Sequence, residues 1–291
     1  MTSKIPGSSA PRVRCYFLDT GYCVASEAHA IEGGARRRIA YHSLVALLRH
    51  PEHGWLLWDA GYTPRMLEAT SRLPEALYRL VTPLCLRPDL AVVRQLARFG
   101  LESRDIQRIV VSHFHADHVA GLRDFPHSGF LATRIAYEDA ASRRGFAALR
   151  RGILSALLPE DFAERAELLP AFIGEPLGSL GPTHDLFADG SLLLVALPGH
   201  ARGQIGLLAN TESGPVLFAA DSCWLSRSIR EERPPARITN LLADDPEAVR
   251  KTIGRVHAFA AANPSVRIVP SHCPEVFAEL MRHEQGEGRQ A

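Results

Sequence analysis

Neither sign of charge dominates this chain: 33 Lys and Arg stand against 32 Asp and Glu. A polyanionic partner such as nucleic acid is drawn by a surplus of cations, and that surplus is missing. The only basic run, Arg36-Arg37-Arg38, reads as a solvated loop entering a strand. Long apolar runs are missing as well. The opening MTSKIPGSSAPRVRCYFL holds no uninterrupted apolar stretch of about 7–15 residues, as a secretory leader requires, and no later segment reaches the roughly 18 that cross a bilayer. The expectation is a cytoplasmic protein without a membrane span. Cysteine is sparse: Cys15, Cys23, Cys85, Cys223 and Cys273 are odd in number and scattered, which argues against a disulfide framework and for reduced thiols.

What is present suffices for a substantial core, with 46% hydrophobic content over 291 residues. A Ser-, Pro- and Gly-rich tail is expected over 1–11, one domain over 12–291, and fraying at the closing GEGRQA. Apolar and β-branched runs bounded by turn residues predict strands at 12–18, 39–48, 55–58 and 109–111, then at 191–196, 205–208, 216–219 and 266–269. Apolar spacings of three and four predict helices at 64–80, 89–99, 246–262 and from Glu275 onward. The stretch 134–169, rich in Ala, Leu and Arg, reads as mostly helical and as an insertion spanning 134–170. Two runs of strands, each with covering helices, suggest two sheets packed face to face with helices outside.

The segment VVSHFHADHVAG at 110–121 places three histidines and an aspartate within six positions. Side chains so close repel when protonated, so a cation is expected among them. In extended backbone His113 and His115 share a face while Phe114 points to the core. A following turn brings Asp117 and His118 round to a neighbouring position, and Gly121 relieves crowding. Imidazole with carboxylate favours zinc, with manganese and iron as close competitors, over calcium. Further ligands fit a recurring pattern of apolar strand, terminating residue and metal-competent side chain: Leu197-Pro198-Gly199-His200, Phe218-Ala219-Ala220-Asp221 and Ile268-Val269-Pro270-Ser271-His272. Strand ends along one edge form a rim for a shared site.

The HxHxDH pattern at 113–118, followed in order by His200, Asp221 and His272, resembles the metallo-β-lactamase superfamily over roughly residues 41 to 272. Trp58-Asp59-Ala60-Gly61 is similar to that family's Asp-x-Gly after an early strand. The resemblance implies an α/β fold, a four-layer αβ/βα sandwich of two mixed β-sheets. It also implies a dinuclear site: His113, His115 and His200 on one divalent metal ion, Asp117, His118 and His272 on the other, and Asp221 bridging. Asp59 would tie the loops beneath, or simply end a strand.

Departures within the superfamily narrow the chemistry. Zinc β-lactamases of the commonest type carry cysteine at the place of Asp221, and flavodiiron proteins carry glutamate at that of His115. Glyoxalase II continues into a helical glutathione-binding domain, whereas 19 residues follow His272 here. What remains resembles the branch of N-acyl-homoserine lactonases and 4-pyridoxolactonase, through SHFHADH at 112–118 and PGHARGQ at 198–204. Those lactonases carry a tyrosine three positions after the bridging aspartate, where this chain has Trp224; an indole N–H donates a hydrogen bond but is no acid.

The implied function is hydrolysis of a small lactone or ester by a water that two cations activate. Asp117 would move the proton and Trp224 would face the substrate. Phosphodiester, sulfate-ester or thioester hydrolysis is the enzymatic alternative, and a non-catalytic scaffold ranks lower. The apolar segment 62–90 and the insertion at 134–170 would shape a pocket for a small molecule with an apolar portion. Arg202 would meet a substrate carboxylate or hold its loop by a salt bridge. Cys223 and Cys273 are assigned to packing, and His29, His42, His50, His53, His127, His184, His257 and His283 to surface or core. A homodimer is compatible with all of this.

Overall fold

The computed structural model describes residues 10–287, with side chains to Arg282. The expected tail at 1–11 therefore lies, but for its last two residues, outside the described residues, as does most of the closing GEGRQA; the side chain of His283 does too.

Twelve strands form two sheets among the described residues. The first contains β1 (Arg14–Ser26), β2 (Arg38–His50), β3 (Gly54–Trp58), β4 (Leu84–Cys85), β5 (Ile106–Val110), β6 (Gly129–Thr133) and β7 (Ala166–Leu169) in the order β4-β1-β2-β3-β5-β6-β7. The second contains β8 (Thr183–Asp185), β9 (Leu192–Ala196), β10 (Ile205–Thr211), β11 (Gly214–Ala220) and β12 (Arg267–Pro270) in the order β12-β11-β10-β9-β8. Both sheets are mixed: β3, β5, β6 and β7 pair in parallel, as do β11 and β12, and the other neighbours are antiparallel.

The central strands are apolar on both faces, which is why they read as continuous runs instead of alternating ones. In β2, Leu44, Ala46 and Leu48 point into the core between the sheets, while Val45 and Leu47 pack outward. In β11, Val216 and Phe218 point inward and Leu217 and Ala219 outward. The helix Pro246–Ala262 covers that second outer face. Asp245 caps it by accepting from the backbone N–H groups of Glu247 and Ala248, and Val249, Ile253, Val256 and Phe259 form its buried stripe. Shorter helical pieces, carrying Met66, Tyr78, Leu96 and Phe162, cover the outer face of the first sheet. The result is the expected four-layer sandwich.

Several elements differ from the sequence expectation. The first strand runs on to Ser26 because a bulge between Asp19 and Tyr22 absorbs the break that Asp19 and Gly21 make in the pattern. The helix expected at 64–80 breaks into Arg65–Ala69 and Ala76–Val81, leaving Leu73, Leu80 and Val81 exposed. The stretch 89–99 is three short turns closed by Gly100 at φ +68°. The stretch 134–169 is helical in Arg134–Ser142, Gly145–Leu149 and Phe162–Arg165, but it ends as β7 on the edge of the first sheet. Among the described residues, no helix is long and apolar enough to cross a membrane.

The topology sets where chemistry can gather. Parallel β3 and β5 end at the same edge, and β9, β11 and β12 all run in one direction because two antiparallel steps separate β9 from β11. The sheets are tied there by backbone bonds from Ile205 N–H to Ser112 O (3.0 Å) and from Leu44 N–H to Ser271 O (3.2 Å).

Candidate metal centre

Each of the seven side chains singled out by sequence follows the end of a strand at that edge. Residues 111–118 follow β5, His200 sits between β9 and β10, Asp221 follows β11, and His272 follows β12. They form two groups. His113, His115 and His200 make one, and Asp117, His118, Asp221 and His272 make the other, each with its ligand atoms within 4.8 Å of one another. Asp221 lies between them: its Oδ1 is 3.4 Å from His118 Nε2, and its Oδ2 is 3.3 Å from His200 Nε2.

Orientation is imposed from outside the groups. Asp59, held at φ +62° just after β3, accepts at Oδ1 from the Ser112 backbone N–H (2.8 Å) and at Oδ2 from Ser112 Oγ (2.8 Å) and His118 Nδ1 (2.7 Å). That bond fixes the His118 tautomer and turns Nε2 inward. Asp59 therefore does more than end a strand. His272 is fixed in the same way, its Nδ1 donating to the His42 carbonyl oxygen at 2.5 Å while Nε2 faces Asp221 (2.9 Å) and Asp117 (3.2 Å). Two glycines make room: a Cβ on Gly121 would lie 2.3 Å from the Ala60 carbonyl oxygen, and one on Gly152 would lie 3.1 Å from the His115 ring.

Burial splits the imidazoles into two kinds. His113 is held well below its ordinary pKa, and His115 at about 3, by burial first and then by neighbouring histidines. His200 is lowered by burial, which outweighs the opposing pull of Asp221. Burial also pulls on His118 and His272, yet carboxylates outweigh it: Asp59, Asp117 and Asp221 hold His118 at about 10, and Asp221 and Asp117 hold His272 well above its usual range. Asp117 in turn sits at about 2 and Asp221 well below the carboxylate range, because His118 and His272 overcome the cost of burying each anion. The second group thus contains buried anions that need positive charge.

Whether the residues suit metal ions is tested by what they leave unsatisfied. The buried side-chain atoms without a hydrogen-bond partner include His113 Nε2, His118 Nε2 and Asp221 Oδ1. Buried polar atoms are ordinarily paired, and these three, in two adjacent nitrogen- and oxygen-rich groups, are donor atoms that divalent cations take. The fit is good. A third cluster, His50, His53 and Asp189, does not fit. His50 Nδ1 accepts the backbone N–H groups of Glu52 and His53 (both 3.1 Å), so its proton sits on Nε2, facing Asp189 at 3.0 Å. A cation at Nε2 would force that proton onto Nδ1, against two donors.

The surroundings hold further residues, most of them already named from the sequence. Tyr62 and Tyr78 are buried, and burial first, with the nearby charge of Asp117 adding to it, holds both phenols well above their ordinary pKa; only the folded packing of 62–90 brings them there. Trp224 Nε1 donates to Asp221 Oδ2 at 3.0 Å, and its ring meets Tyr41 and His200 edge-on, with centroids 6.0 and 5.9 Å away. Cys223 and Cys273 are buried, with Ser226 donating to Cys273 Sγ. Two cavities flank His200. One is lined by Trp224, Cys223, Leu242, Ala243 and Val249; the other by His115, Ile153, Asp139, Arg151, Arg202 and Asp244. Arg202 is about half exposed and 3.8 Å from Asp139, whose oxygens are taken by Arg143 at 2.6 and 2.9 Å.

A four-layer sandwich with five imidazoles and two carboxylates converging at its strand ends is the scaffold of a metal-dependent hydrolase. The model of the metallo-beta-lactamase superfamily matches residues 39–272, and the chain belongs to that superfamily. It is similar to N-acyl homoserine lactonase AttM of Azorhizobium caulinodans, with 26% identity over 273 residues, covering 93% of this chain and 97% of that one. It is similar to AiiB, an N-acyl homoserine lactonase of Agrobacterium fabrum, with 27% identity and 79% of each chain covered. Its fold is similar to that of a solved N-acyl homoserine lactone hydrolase with N-hexanoyl-L-homoserine at its catalytic metal centre, with a TM-score of 0.71, 21% identity, and 93% and 96% of the two chains covered.

Proposed function

We propose that this protein hydrolyses a small lactone or ester carrying an apolar portion, using two divalent metal ions. Zinc is the first choice of ion, with manganese and iron as alternatives. The observation that carries the reading is Asp221, buried with one oxygen toward His118 and the other toward His200, between two groups of nitrogen and oxygen donors in which His113 Nε2, His118 Nε2 and Asp221 Oδ1 have no hydrogen-bond partner. His113, His115 and His200 would hold one ion, Asp117, His118 and His272 the other, and Asp221 both. Bound there, the pair supplies Lewis acidity, polarising a carbonyl and bringing a water's pKa toward neutrality.

The rest is the work of the chain. Asp117, partly exposed and 3.2 Å from His272 Nε2, is placed to take a proton and return it to the leaving oxygen. The cavity walled by Trp224, Leu242 and Val249 suits an apolar chain. The similarity to AttM and AiiB, both named N-acyl homoserine lactonases, supports acylated lactones as the first substrates to try. A phosphodiester is the alternative substrate; Arg202 and Arg151 line the second cavity together with Asp139 and Asp244. All five cysteines are free, which supports a reducing compartment, the cytoplasm.

The test is a panel of acyl lactones of graded chain length, esters, thioesters and phosphodiesters, run with zinc-, manganese- and iron-loaded protein. Lactones with longer acyl chains are expected to turn over fastest. Asp221→Ala should remove metal and turnover together, by at least about a hundredfold in rate; full turnover by metal-free protein would contradict the scheme.

A further inference from the structure

Asp221 receives hydrogen bonds or close approaches from four sides. Oδ1 faces His118 Nε2, and Oδ2 faces His272 Nε2 at 2.9 Å, His200 Nε2 at 3.3 Å and the Trp224 indole N–H at 3.0 Å. Three of these four are imidazoles. His118 and His272 spend their Nδ1 protons outward, on Asp59 and on the His42 carbonyl. An imidazole nitrogen that holds a cation carries no proton to donate. Once the site is loaded, none of the three histidines can hydrogen-bond Asp221 through the nitrogen that faces it. The indole N–H is the donor of the set that persists.

We propose that Trp224 is a positioning residue that orients the Asp221 carboxylate between the two cation positions, through a hydrogen bond that remains when the histidines have become ligands. The inference rests on the cation-pair reading above. It confines the substrate-facing role that the sequence suggests for Trp224 to the ring and gives the N–H to Asp221. An indole has one N–H, and here it is committed to Asp221, so it is not available to a substrate carbonyl. The ring keeps a second task, since it walls the apolar cavity beside Leu242 and Val249. One side chain thus joins the wall of that cavity to the carboxylate shared by both groups, with Tyr41 and His200 packed edge-on against the ring to hold its plane.

Removing only the N–H tests this. Trp224 is replaced by benzothienylalanine, which keeps the ring shape and puts sulfur in place of N–H, by 7-azatryptophan, which keeps the N–H, and by phenylalanine (W224F). Zinc affinity is measured by chelator competition, and the visible spectrum is recorded after cobalt loading. Loss of an outer hydrogen bond to a ligand typically weakens metal affinity by about 10–100-fold. One of two zinc equivalents is expected to weaken by that factor in the benzothienyl and phenylalanine proteins, with altered cobalt bands, and to return in the azatryptophan protein. Should the phenylalanine variant fail to fold, the two isosteric analogues carry the comparison. Two equivalents of unchanged affinity in the benzothienyl protein would overturn the inference alone. Wild-type protein binding fewer than two equivalents would overturn the cation-pair reading and this inference with it.

Discussion

Asp59 shows how one residue outside the ligand set can govern it. Its carboxylate takes three hydrogen bonds and is almost wholly buried, so the anion is satisfied only while Ser112 and His118 stay in place. Asp59→Asn keeps the shape but turns one acceptor into a donor aimed at Ser112 or His118. Zinc affinity, read by chelator competition, is expected to fall by about 10–100-fold, and unchanged affinity would mean that His118 is oriented by something else. His50 gives a pH prediction unconnected with the metal groups. Burial holds its imidazole below the ordinary value, and protonation would put a hydrogen on the Nδ1 that accepts two backbone N–H groups. Below an unfolded value of about 6.5 the unfolded chain takes up more protons than the folded one. Stability from this group is therefore complete above that pH and declines as the pH falls through it. His50→Asn offers a non-titrating acceptor in the same place, so melting temperature should fall less steeply between about pH 7 and pH 5 than in the wild type; parallel slopes would count against it.

Elements that carry ligands were legible because their signal is local. An apolar strand, a terminator and a histidine or aspartate can be recognised within about five residues, which is why 109–118, 197–200, 218–221 and 268–272 were found. What escaped depends on distant partners. The edge strand β7 is a short apolar piece in a stretch rich in Ala, Leu and Arg, where periodicity cannot tell strand from helix; only its pairing with β6 decides. Gly152 escaped for the same reason. It lies in the segment after β6, at φ +66°, with its carbonyl accepting from Ala116 N–H and the His115 ring 3.1 Å from where a Cβ would stand. Left-handed backbone costs a side chain roughly 1–2 kcal/mol, and an added methyl presses on His115. Gly152→Ala is expected to lower the melting temperature by about 2–4 °C per kcal/mol lost and to weaken the zinc equivalent held by His113, His115 and His200. Calorimetry with metal titration checks both, and a variant indistinguishable from wild type would show that this segment does not support the site.

At the scale of the whole molecule, the sandwich explains why residues from four separate stretches meet. Parallel connections and antiparallel hairpins bring the ends of β3, β5, β9, β11 and β12 to one edge, and the two sheets are tied there by Ser112 and Ser271. Charge balance at that edge is left to whatever occupies it, since the buried group of Asp117, His118, Asp221 and His272 otherwise relies on protonated imidazoles. Ions that bind the folded chain and not the unfolded one stabilise it by mass action, so loading should raise the melting temperature as well as switch on hydrolysis. The central claim is tested most directly by crystals grown with zinc and measured at the zinc absorption edge. The account predicts two anomalous peaks about 3.5–4 Å apart, one among His113, His115 and His200, the other among Asp117, His118 and His272, with Asp221 touching both. A single peak, or peaks away from Asp221, would contradict it.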